Sequence, residues 1–140
     1  MIECTYCGIP ANALDHIIPV LYTETSRKNA KYTKETTVPC CNECNLILSS
    51  NWLPSISERA GYLIEKYNKK YKKLLSRPDW EDWEINELKG NLKRKILSNI
   101  ENKKIIQERL KFLLCVYNES DLTVIDVWNK YPQNAFNCFK

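Results

Sequence analysis

Four cysteines fall into two pairs of equal spacing, Cys4-Thr5-Tyr6-Cys7 and Cys41-Asn42-Glu43-Cys44. Each Cys-x-x-Cys step can turn two thiolates toward one centre. Two such steps complete a tetrahedral four-sulfur set that suits Zn²⁺ and leaves no open position, so the metal would be structural. Cys40 is an alternative to Cys41, with a longer gap to Cys44; Cys41 is preferred because it mirrors the first pair, and Cys40 then stands beside it, packed or partly exposed. Cys115 and Cys138 lie far off in the chain and read as buried apolar cysteines.

Between the pairs runs Asp15-His16-Ile17-Ile18-Pro19, and His16 is the only histidine in the chain. Asn45 directly follows the last cysteine of the second pair. If a metal draws the pairs together, the segment carrying Asp15 and the one carrying Asn45 can face each other. A carboxylate and an amide oxygen make a sparse site of hard donors. Such a site suits Mg²⁺ (or Mn²⁺), which keeps several waters and takes its other ligands from phosphate. His16 beside it can take a proton from an attacking water. A lone histidine by itself reads as structural, and Asn45 by itself as a helix cap; only the constellation raises them to site residues.

These three elements together, Cys-x-x-Cys-Gly, then Asp-His-Ile-Ile-Pro, then Val-Pro-x-Cys-x-x-Cys-Asn, resemble the HNH endonuclease superfamily over about residues 4–50. More loosely, the segment from Pro54 to Pro78 is similar to small phage-type members. The resemblance implies a ββα-metal unit related to treble-clef zinc fingers, with Asp15 and Asn45 as ligands of the catalytic ion and His16 as general base. It also implies products with 5′-phosphate and 3′-hydroxyl ends. Where the family commonly has an asparagine that orients the base, this chain has Thr36, followed by Thr37. A threonine hydroxyl or carbonyl would then hold the imidazole, or activity would be weakened. The lysine that often follows the family's Cys-Asn is also missing; Leu46-Ile47-Leu48 stands there.

The positioning elements follow from a change of composition near residue 50. Up to it the 140-residue chain is rich in Cys, Thr, Pro and Asn; beyond it, in Leu, Ile, Lys and Glu. The expected fold is α+β: a zinc-stapled ββα-metal nuclease core over 1–53 and a helical region over 54–140. Residues 14–20 and 38–40 read as short strands, 22–37 as a long polar loop, and 42–50 as a short helix with Leu46, Ile47 and Leu48 packed inward. Ser55-Ile56-Ser57-Glu58 after Pro54 signals the start of a basic amphipathic helix at about 55–77, ended by Pro78. Residues 79–117 read as helix broken near 99–102 and weakened at Gly90. Residues 121–131 suggest a further short helix.

The net charge is +4, with about −1 before residue 51 and about +5 after it. Arg59, Lys66, Lys69, Lys70, Lys72, Lys73 and Arg77 stand against one acid, Glu65, between positions 59 and 77. On one face they would form a footprint for a polyanion, with Lys66, Lys69, Lys70, Lys73 and Arg77 on one stripe and Lys28 and Lys31 adding contacts from the loop. The four tryptophans read as core or interface anchors. No apolar run approaches a membrane span, and the beginning of the chain lacks a signal-peptide pattern. The reading is therefore a soluble cytoplasmic DNA endonuclease, nicking as a monomer, with homodimer or other partner left open. The main alternative is an inactive zinc-stapled nucleic-acid-binding module; a protein-interaction zinc domain is a third.

Overall fold

The structure, a computed structural model, describes residues 1–17, 34–49 and 51–139. Lys28, Lys31 and most of the expected loop lie outside the described residues. The first turn is the Cys4–Gly8 knuckle, closed by Gly8 N–H donating to the Cys4 carbonyl at 3.0 Å. Gly8 takes φ +82°, and a Cβ there would come within 2.7 Å of the Phe112 ring, so both backbone and space require glycine. Thr5 donates from its N–H and its hydroxyl to the Pro39 carbonyl, docking the knuckle onto the second strand.

Strands β1 (Ala13–His16) and β2 (Thr37–Cys40) pair antiparallel, with Ala13 opposite Cys40, Leu14 opposite Pro39, Asp15 opposite Val38 and His16 opposite Thr37. Helix α1 (Asn42–Leu48) follows directly, and the Cys41 sulfur caps it by accepting from Cys44 N–H. Of its three apolar residues, Leu48 is buried and Ile47 half-buried, while Leu46 is 77% exposed; one turn of helix cannot turn three successive side chains inward.

Helix α2 (Ile56–Lys70) starts where the sequence signals it, with the Ser55 hydroxyl accepting from Glu58 N–H. It ends earlier than expected. Tyr71 leaves helical geometry, and α3 (Lys72–Leu75) is a separate short turn. Lys73 and Arg77 are therefore not on one straight stripe with Lys66 and Lys69.

Helix α4 (Asp82–Glu87) is followed by α5 (Gly90–Asn118), 29 residues without a break. The expected interruption at 99–102 is absent; the break falls at Leu88–Lys89, and Gly90, at φ +63°, starts the helix rather than weakening its interior. Helix α6 (Val124–Trp128) has a capping box formed by Thr123 and Asp126. A short 3₁₀ helix, Ala135–Phe139, closes the described chain.

The core runs across the expected boundary at residue 53. Cys4, Tyr6, Val38 and Leu48 pack in one cluster with Ile56, Ala60, Leu63 and Tyr67 of α2, Leu113 and Val116 of α5, and Val127 of α6. Gly61 of α2 leaves room for the Tyr117 ring of α5, which a Cβ there would meet at 2.8 Å. Among the described residues no helix is long and apolar enough to cross a membrane.

Candidate metal centre and hairpin site

The knuckle and the start of α1 bring the Sγ atoms of Cys4, Cys7, Cys41 and Cys44 within 4.8 Å of one another, all buried. Bonds of about 2.3 Å to a tetrahedral zinc give sulfur–sulfur edges of about 3.8 Å. The Cys7–Cys41 separation is 3.7 Å. The four residues can therefore hold a metal ion, and the all-sulfur donor set is the one zinc prefers.

The contact with Cys4 draws Cys41 down and Cys7 down to about 7, while contacts with their neighbours push Cys4 and Cys44 up. A dication bound there would take all four as thiolates. Cys40 is buried but outside the cluster. Cys115 and Cys138 are exposed, against the expectation of buried apolar cysteines, because α5 and the 3₁₀ helix turn them away from the core.

Alternation along β1 separates the two neighbouring site candidates. Asp15 faces α2 and is 2% exposed. Arg59 NH2 donates to its Oδ1 at 2.6 Å and Arg59 Nε to its Oδ2 at 2.8 Å, and the Tyr6 hydroxyl also donates to Oδ2. Arg59 NH1 is held in turn by the carbonyls of Ile17 and Leu53. Burial pushes the Asp15 carboxyl up, and the guanidinium and the hydroxyl pull it back. Burial also opposes the charge on Arg59, but its partners hold its pKa above the ordinary value.

Both carboxylate oxygens are thus occupied by a buried cation, which corrects the expectation of Asp15 as a ligand of Mg²⁺: as arranged, the donor set does not fit that ion. Arg59, counted from sequence among the polyanion-binding residues, is fully buried and belongs to this pair.

His16 is on the other face, half-buried, opposite Thr37. Burial pulls its imidazole below the ordinary value of 6.5, the Asp15 charge opposes this and the Arg59 charge adds to it. The register gives Thr37, buried, rather than Thr36 as the cross-strand neighbour of the ring. Thr36 is exposed and its carbonyl accepts from Ile17 N–H at 3.0 Å. Trp128 closes over this end of the sheet, its Nε1 donating to the Thr37 carbonyl at 2.8 Å.

Asn45 is half-buried on α1 and lines a groove of about 1060 Å³ together with Leu14, which shares the face of His16. Asn12, Asn134 and Phe136 also line it, and no lysine or arginine does among the described residues. The hairpin therefore turns His16 and Leu14 one way and Asp15 the other, so Asp15 does not share the face of His16.

Comparison with protein-family models, with curated proteins and with solved structures gives no match.

Of the expected phosphate contacts, Lys69, Lys73 and Arg77 are exposed. Lys70 pairs with Glu43 at 2.6 Å, and Lys66 lies over the Tyr62 ring at 5.2 Å. Sequence reasoning missed Tyr6, Tyr67 and Arg109. The signal was there for Arg109: it falls in the spacing Ile106, Arg109, Leu113, Val116 that makes the buried face of α5.

Proposed function

We propose that the chain hydrolyses DNA phosphodiester bonds in the manner of the HNH endonucleases its motifs resemble. The four-cysteine cluster supports this reading most: it staples a two-stranded hairpin to the helix that follows, with His16 on the hairpin and Asn45 on the helix. In this reading the unit is a treble-clef-like ββα element and the stapling ion is zinc. His16, kept neutral by burial, accepts a proton from the water that attacks phosphorus. Thr37 orients the ring. The exposed Lys69, Lys73 and Arg77 contact phosphates at a distance from the cut. The resemblance also implies a catalytic Mg²⁺ or Mn²⁺; with Asp15 bound to Arg59, no step is assigned to an ion held there.

That same pair favours a second reading, a zinc-stapled module that binds nucleic acid without cutting it. Supercoiled plasmid incubated with pure protein and Mg²⁺ or Mn²⁺, beside His16→Ala, separates the two. The nuclease reading expects nicked circles from the wild type and at least about a hundredfold less from the variant. No cleavage by either protein, with salt-sensitive DNA binding retained, establishes the binding module instead.

A further inference from the structure

Arg109 reaches from the buried face of α5 to the edge of the thiol cluster, and among the described residues the one carboxylate paired with it is shared. NH1 donates to Glu43 Oε1 at 2.8 Å. Glu43 is already shared, since Lys70 Nζ and the Tyr71 hydroxyl both donate to its Oε2. One carboxylate thus serves two cations, the buried Arg109 and the half-exposed Lys70. On the other side, NH2 donates to the Tyr67 hydroxyl at 3.0 Å and lies 4.0 Å from Cys41 Sγ. The Tyr67 hydroxyl is 3.0 Å from Cys44 Sγ, and the guanidinium stacks over the Tyr67 ring at 4.8 Å. Arg109 Nε is buried and has no hydrogen-bond partner among the described residues. A structural ion held by four thiolates carries two negative charges in excess of the metal's own. That charge supplements the carboxylate that Arg109 shares with Lys70.

We propose that Arg109, acting directly and through Tyr67, is the charge partner of the metal–thiolate centre and sets how tightly the centre holds its ion. The inference rests on the reading of the four cysteines as a zinc site. Tyr67 accepts from the guanidinium and donates to the Cys44 thiolate, so the two form a relay. Hydrogen bonds to thiolate sulfur withdraw electron density, make the sulfur a poorer nucleophile and slow its protonation and exchange. Arg109 is a positioning residue in this role. It also ties α5, distant in sequence, to metal loading.

The test uses the full chain loaded with Zn²⁺ and, separately, with Co²⁺. Zinc affinity is read by competition with a chromophoric chelator, and the electron density on sulfur by the energy of the thiolate-to-cobalt charge-transfer band. Arg109→Met is expected to weaken zinc binding by about 10–100-fold and to move the band to lower energy. Tyr67→Phe moves both in the same direction by less, and Arg109→Lys recovers most of the loss. Glu43→Gln, which takes the carboxylate from Arg109 but no contact from sulfur, leaves the band in place. Should Arg109→Met fail to fold, Tyr67→Phe and Arg109→Lys decide through the band position. A band unmoved in Tyr67→Phe and in every Arg109 variant that folds overturns the role, as does an equal shift in Glu43→Gln. A wild-type chain that gives no cobalt band overturns the metal centre itself, a separate failure.

Discussion

Arg59 on α2 grips both carboxylate oxygens of Asp15 on β1 across 44 positions of sequence, with the Tyr6 hydroxyl as third partner. Removing one member of a buried, well-bonded pair leaves an uncompensated charge. Arg59→Met and Asp15→Asn should therefore each lower the unfolding free energy by about 3–5 kcal/mol in denaturant titrations. A loss under about 1 kcal/mol in both would show that the pair does not anchor α2 to the hairpin.

Gly8 makes a second, smaller prediction. Gly8→Ala adds a Cβ at positive φ and 2.7 Å from the Phe112 ring. It should cost about 1–3 kcal/mol, part backbone strain and part overpacking. In a double-mutant cycle with Phe112→Ala only the overpacking part should be relieved. Strict additivity would place Phe112 away from the knuckle.

The exposed cations of α2, α3 and the turn beyond give a prediction about salt. Lys69→Gln, Lys73→Gln and Arg77→Gln should each reduce the slope of log affinity for duplex DNA against log salt by about 0.9 per lost phosphate contact. Lys70→Gln should change it less, because Lys70 is already paired with Glu43. Equal slopes in all four variants would remove this face from the DNA contact.

The His16 imidazole should titrate below 6.5 by NMR, since burial opposes its charge. Between that lowered value and about 6.5 the unfolded chain binds the extra proton, so the contribution of His16 to stability is full above this window and fades as the pH falls through it. A midpoint above 6.5 would mean that the Asp15 charge outweighs burial and would weaken the ring's assignment as a base that is neutral near pH 7.

How far the sequence reveals all this depends on the range of the interaction. The cysteine pairs were legible because ligand spacing is local, and so was the start of α2, where Ser55 and Glu58 meet within one turn. Strand alternation is equally local, yet the expectation put Asp15 and His16 in one site; the paired register of β1 turns them to opposite faces. What the sequence hid is the long-range pairing. Arg59 reads as one more cation in a basic run until α2 is packed and its face, shared with Ile56, Ala60 and Leu63, turns inward. Arg109 sits at core spacing on α5, but its partners Glu43 and Tyr67 are equally distant in sequence. The end of α2 at Tyr71 and the unbroken α5 were also set by packing, since neither Gly nor Pro marks the first and Asn99–Asn102 did not break the second.

The account stands on one ion held by Cys4, Cys7, Cys41 and Cys44. Native mass spectrometry of the purified chain, with zinc analysis of the same sample, weighs it directly. The expected result is one zinc per chain, lost together with the folded hairpin when Cys44 is replaced by serine. A folded, metal-free chain whose four thiols all react at once with an alkylating reagent would contradict it.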